Sequence, residues 1–200
     1  MQSIAIGGIT IESPVFLAPM SGVSDLPFRR MVKKHGAGLV FSEMIASRPM
    51  VEECKRGKRA PADYAEEFPI AVQLAGCEPD VMAEAAKINV DRGAAIIDIN
   101  FGCPVKKVVN NFAGSALMKN EALAIKIMET VVKSVEVPVT VKMRLGWDEN
   151  NRNPASNTID RFIEKQSGVD IITTFPFLVG HKEEMSSTLW GFKNTQYRDM

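Results

Sequence analysis

The chain has 200 residues, 46% hydrophobic and 24% charged, ordinary values for a globular protein with a substantial core. Its formal net charge is zero, so composition provides no general pull towards nucleic acid, and such a contact must come from local basic patches. No run reaches the roughly 18 uninterrupted apolar residues of a membrane span, and residues 1–10 do not read as a secretion signal. The three cysteines, Cys54, Cys77 and Cys103, are odd in number and not spaced as metal ligands, which fits a reducing compartment. These features predict a cytoplasmic protein with no membrane partner and no metal.

Along the chain, short apolar β-rich runs alternate with helical patterns. A strand is expected at 15–18, then a helix over 25–35 capped by Ser24, with Phe28, Met31 and Val32 on one face and Gly36 as its stop. The second strand falls at 39–42. A longer connection follows, carrying the basic stretch from Lys55 to Arg59. Strands at 70–74 and 95–99 flank a helix that opens at Pro79, aligns Val81, Ala85 and Ile88, and stops near Gly93. Asn120 caps the next helix, which lines up Leu123, Ile127 and Val131 ahead of a strand at 137–143. A helix near 157–166 and a strand at 169–173 close the readable pattern, and 174–200 shows no strand–helix rhythm.

The strands are apolar on both faces, as in a parallel sheet covered on both sides. Two α/β architectures compete, an open doubly wound sheet and a (β/α)8 TIM-type barrel. The dinucleotide-binding glycine fingerprint is absent after the first strand, where Ala18-Pro19-Met20-Ser21-Gly22 stands instead. The barrel is therefore expected. A complete barrel takes about 250 residues, so about six β/α units are expected within 1–173, without the last two, and 174–200 is expected to be a divergent tail.

A barrel enzyme builds its site at the carboxyl ends of its strands. The first strand runs into Pro19, Met20 and Ser21, the second into Glu43, and the third contains Gln73. The fourth leads to Asn100 and Cys103, and the fifth carries Lys142 and Arg144. An amide, a thiol and two cations thus converge on one mouth, where packing alone does not call for them. Lys142 either meets an anionic cofactor or pairs with a carboxylate such as Glu43. Cys103, between Gly102 and Pro104, is either a presented thiol or a small inert hydrophobe. Lys106, Lys107 and the Lys55–Arg59 stretch could meet phosphate, though a solvated charged surface is the simpler reading of the latter.

Several segments together resemble the bacterial tRNA-dihydrouridine synthases. They are Ala18-Pro19-Met20-Ser21-Gly22-Val23-Ser24-Asp25-Leu26-Pro27-Phe28-Arg29, Ser42-Glu43-Met44, Gln73-Leu74-Ala75-Gly76, Asp98-Ile99-Asn100-Phe101-Gly102-Cys103-Pro104, Ala113-Gly114-Ser115-Ala116-Leu117 and Val141-Lys142-Met143-Arg144-Leu145-Gly146-Trp147. Order and spacing agree across about residues 4 to 153.

The resemblance implies an FMN-dependent barrel that reduces uridines in tRNA to 5,6-dihydrouridine, with NADPH as reductant. It places Pro19, Met20, Ser21, Gln73 and Lys142 at the flavin and Asn100 and Arg144 at the uracil nucleotide. It makes Cys103 the general acid. Such an acid must be protonated near neutrality, and thiols ordinarily titrate at about 8.5. The target base must also leave its stack to be reached. After about Asn153 the match fades: His181 does not fall in the family's His-Gly-Arg motif, and the helical tRNA-binding domain is not expected in this chain. Two rival readings follow, an inactive truncated remnant and another FMN barrel oxidoreductase acting on a free pyrimidine.

Overall fold

The computed structural model describes residues 3–58 and 64–144. The predicted helix near 157–166, the strand at 169–173, the proposed tail and His181 lie outside the described residues.

The fold begins with an antiparallel hairpin, β1 (Ile4–Ile6) and β2 (Ile9–Ile11), in register Ile6 to Ile9. Its two-residue turn is Gly7-Gly8, and Gly7 has φ +55°, a conformation that favours glycine. The main sheet contains β3 (Phe16–Leu17), β4 (Leu39–Phe41), β5 (Ile45–Ala46), β6 (Ile70–Ala75), β7 (Ile96–Phe101) and β8 (Val139–Met143). Between them lie α1 (Leu26–Lys34), α2 (Ser47–Lys55), α3 (Pro79–Asp91), α4 (Lys106–Val109) and α5 (Glu121–Val132).

Every pairing in the main sheet is parallel, and the strand order is β3-β4-β6-β7-β8, with β5 also pairing β6. An order that follows the chain without reversing belongs to a β/α barrel, because a doubly wound sheet reverses at its switch point. The described residues form a parallel half-barrel, as expected. β4 and β5 run successively along β6 and are broken at 42–44. There Ser42 Oγ accepts the Gln73 N–H at 3.0 Å, so a side chain replaces the interrupted ladder.

The two faces of the sheet are covered differently. Val40, Ile70, Val72, Leu74, Ile97, Ile99 and Phe101 pack with residues of α2, α3 and α5 in the larger core. On the opposite face Leu39, Ala71 and Ile96 pack with Ile6 and Ile11 of the hairpin, alongside the half-buried Phe16 and Phe41. A Cβ added at Gly7 would meet Pro138 Cγ at 2.6 Å, so the hairpin turn reaches the start of β8. The hairpin therefore forms an apolar floor, and beyond it on the same face stand the polar Gln73, Asp98, Asn100, Thr140 and Lys142.

Three local expectations change. Asp25, not Ser24, caps α1, accepting the Phe28 N–H at 3.0 Å. Phe28 and Met31 are exposed, whereas Arg29 is buried. Its guanidinium donates to Glu67 and, at 2.7 Å, to the Ser24 carbonyl, which ties α1 to the segment before β6. The connection after β4 contains α2, which sequence periodicity does not announce. Asn120 does cap α5, accepting the Leu123 N–H at 3.1 Å.

Candidate active site

The carboxyl ends of β6, β7 and β8 bring five of the predicted residues together. Strand register sets Gln73 beside Asp98 and Asp98 beside Thr140, with Asn100 beside Lys142 one pleat further along. Because side chains two apart share a face, Asp98 and Asn100 point the same way, above the apolar floor.

A continuous hydrogen-bond chain occupies this layer. Thr140 Oγ1 donates to Asp98 Oδ1 at 2.6 Å, and Gln73 Nε2 donates to Asp98 Oδ2 at 2.6 Å. Asn100 Nδ2 donates to Gln73 Oε1 at 2.8 Å. Asn100 Oδ1 accepts the backbone N–H groups of Gly102 at 3.1 Å and Cys103 at 2.9 Å. Gln73 is 1% exposed and Asp98 2%. Burial pushes the Asp98 carboxyl up to about 6, against the pull of the Thr140 and Gln73 hydrogen bonds and the Lys142 charge.

Cys103 follows β7 in a half-buried loop with a free thiol. Its carbonyl accepts from Ser115 N and Ser115 Oγ, both at 3.0 Å, so the loop is gripped from two sides. Gly114 makes the grip fit: it has φ +61°, and an added Cβ would stand 2.6 Å from the Cys103 carbonyl oxygen. Arg144 Nε donates to the Gly102 carbonyl at 2.6 Å, and its two terminal nitrogens bond no described residue. Lys142 is exposed and unpaired among the described residues. The alternative pairing with Glu43 is not formed, because Glu43 Oε1 instead accepts the Gly22 N–H at 2.5 Å.

Pro19, Met20 and Ser21 lie apart, at the end of β3. Ser24 closes their turn, accepting the Met20 N–H at 2.9 Å and donating to the Met20 carbonyl at 3.0 Å. They join the other site residues only indirectly, through Gly22 to Glu43 and through Ser42 to Gln73. The Lys55 to Arg59 stretch behaves as a solvated face where it is described. Lys55 pairs with Glu84 at 2.9 Å and Arg56 with Glu52 at 3.6 Å.

Sequence reasoning singled out neither Asp98, Thr140 nor Ser115 as site residues. The signal for Asp98 was present, since a carboxylate and an amide two apart in an otherwise apolar strand mark one polar face. Among the described residues no group of three or more His, Cys, Asp and Glu could hold a metal ion, and no helix is long and apolar enough to cross a membrane.

Fold and site together define a β/α-barrel protein whose polar centre stands at the carboxyl ends of its strands. The family model for dihydrouridine synthase (Dus) matches residues 16–173. A probable tRNA-dihydrouridine synthase of Rickettsia bellii is 56% identical over 171 residues, covering 85% of this chain and 52% of its own. The tRNA-dihydrouridine synthase B of Pasteurella multocida is 53% identical over 148 residues, covering 74% and 45%. Among solved structures, a histamine dehydrogenase from Rhizobium sp. 4-9 aligns with TM-score 0.48 at 12% identity, covering 72% of this chain and 33% of that one. The chain belongs to the dihydrouridine synthase family. It spans about half the length of the curated relatives it matches.

Proposed function

We propose that this chain carries the reaction centre for reducing uridine in tRNA to dihydrouridine, using FMN with NADPH as the reductant and Cys103 as the proton donor. The observation that carries the reading is a half-buried thiol on a loop held from two sides, beside two cations with free nitrogens. Family membership supports the oxidoreductase class, and the names of the relatives support tRNA as the substrate.

The donor set suits a flavin. Lys142 is an accessible cation without a protein partner among the described residues, which suits the anionic N1/O2 edge of a reduced isoalloxazine. Gln73 keeps one N–H and one lone pair beyond the hydrogen-bond chain. Pro19, Met20 and Ser21 supply a second wall. When bound, the flavin supplies the hydride.

The chain's own residues do the rest. The Cys103 thiol delivers a proton to C5 of the uracil ring. Asn100 has one N–H left for the base, because its other N–H donates to Gln73 and its Oδ1 holds the loop. Arg144 has two nitrogens left for the nucleotide, because Nε anchors Gly102. Lys106 and Lys107, exposed just past Cys103, suit tRNA phosphates.

The test is tRNA reduction by the purified protein supplied with FMN and NADPH, with wild type compared against Cys103→Ala. Losing a general acid should lower the rate by about 10²-fold or more while flavin fluorescence quenching is unchanged. Equal rates for the two proteins would remove Cys103 from the chemistry. Activity on free uridine without tRNA would favour a free-pyrimidine reductase instead.

A further inference from the structure

We propose that Asp98 is a positioning residue that sets the geometry of the Cys103 loop through a one-way hydrogen-bond chain, Asp98 to Gln73 to Asn100. Its catalytic consequence rests on the function proposed above, while its effect on the loop does not.

The direction of the chain is forced from both ends. The backbone N–H groups of Gly102 and Cys103 can only donate, so Asn100 must present Oδ1 to them. At the other end Asp98 Oδ2 accepts, so Gln73 must present Nε2. The amides between are then locked, with Asn100 Nδ2 meeting Gln73 Oε1. Reversing either amide breaks hydrogen bonds on both of its sides and sets like groups against each other. The backbone N–H groups fix this direction from the loop end, and a carboxylate at the root, which can only accept, holds it from the other.

Stability alone does not account for a carboxylate here. Burying a carboxylate without an ion-pair partner carries a desolvation cost, and the floor just below Asp98 is apolar. The same side chain is pushed up to about 6 by its burial, so the fold tolerates an unfavourable group at this position. Thr140 gives the root tolerance of its own. Its hydroxyl can donate to Asp98 Oδ1 or accept from it, so a proton or an amide at that position leaves the Gln73 side undisturbed.

Three variants separate a positioning role from a merely structural one. Asp98→Leu removes the root, and Gln73→Met cuts the chain one link on at similar volume. Asp98→Asn keeps the chain, with its oxygen towards Gln73 and its amide towards Thr140. The readouts are hydrogen exchange at the Gly102 and Cys103 amides, the alkylation rate of Cys103 followed by peptide mass spectrometry, and a thermal melt.

The expected result is exchange at both amides accelerated about fivefold or more in the Leu and Met variants, the worth of roughly one hydrogen bond. Cys103 alkylation should change to a similar extent, with Asp98→Asn within about twofold of wild type. If Asp98→Leu gives no cooperative melt, Gln73→Met decides. Unchanged exchange and alkylation in the folded variants would overturn the proposal, whatever the melting temperature does.

Reduction of tRNA is measured in parallel, where Asp98→Leu should lower kcat and leave KM for tRNA unaltered. A wild type that does not reduce tRNA, with the exchange effects intact, would defeat the proposed function and leave the positioning role standing.

Discussion

Two residues carry free-energy costs that can be measured. The Asp98 carboxyl titrates at about 6 in the folded chain against an ordinary 3.8. Between those values the folded protein holds a proton that the unfolded chain releases, so stability falls as pH rises through the window. The shift amounts to about 3 kcal/mol lost by pH 7 relative to pH below 3.8. Denaturant unfolding from pH 4 to 7 should therefore show a downward slope in wild type that is flatter in Asp98→Asn, with the variant the more stable near neutrality. Parallel curves would show that Asp98 is not the titrating group. Phe112 pays in backbone conformation: it has φ 55° and is 73% exposed. The left-handed region costs an L-residue roughly 1–2 kcal/mol, and a largely exposed ring recovers little by burial. It stands two residues before Gly114, whose backbone lies close to the Cys103 carbonyl, with Lys106 and Lys107 nearby in sequence. On the function proposed above, that position suits a platform on which a base of the tRNA stacks. Phe112→Gly should raise the melting temperature by a few degrees and weaken tRNA binding, since a stacked base is worth about 1–3 kcal/mol. A lower melting temperature with unaltered binding would make the residue structural.

At the scale of the element, what was legible depended on whether the local signal and the tertiary role agreed. α3 and α5 read correctly because Pro79, Gly93 and Asn120 mark their ends while their apolar stripes face the core. α1 read correctly in extent and only in part in orientation, since of its expected face Val32 packs against the larger core. Its stripe of Phe28 and Met31 is exposed, while Arg29 turns inward to Glu67, a partner 38 residues away that no local pattern reveals. α2 was missed because no side chain caps it and Pro49 reads as a breaker. That proline stands in the first turn, where a backbone N–H has no intrahelical acceptor, so proline's lack of one loses no hydrogen bond. The hairpin was missed for a different reason. Ile4, Ile6, Ile9 and Ile11 around Gly7-Gly8 carry a two-residue hairpin signal, but the parallel-sheet reading gave the segment no role. The site divided in the same way. Cys103, Asn100, Lys142 and Arg144 were readable as strand-end residues, whereas the links among Asp98, Gln73 and Thr140 depend on lateral register, which exists only once three strands are side by side.

At the scale of the whole molecule, one sheet face changes character along its length, apolar where the hairpin closes it and polar at the carboxyl ends of the strands. The hairpin is what allows this arrangement. A parallel sheet needs both faces covered, and among the described residues helices cover only one face, so the other needs an apolar plug below the polar layer. Ile11 is the centre of that plug, 1% exposed and packed with Leu39, Ala71 and Ile96. The chain also approaches it closely, since a Cβ added at Gly38 would stand 2.6 Å from Ile11 Cγ2 and 2.1 Å from the Ser13 carbonyl oxygen. Floor and mouth are thus separate layers of one face, with separate consequences when altered. Ile11→Ala should lower unfolding stability by about 2–4 kcal/mol, as a buried isoleucine truncation does where neighbours cannot collapse. It should leave Cys103 alkylation and Gly102 amide exchange near wild type below the melting transition, because no link of the polar chain passes through the floor. Denaturant unfolding combined with exchange at the two amides distinguishes the outcomes. A large stability loss with an undisturbed Cys103 loop supports independent layers. A loop that loosens in step with the floor would mean that the hairpin sets the strand spacing on which the polar chain depends, making it part of the active-site scaffold as well as the core.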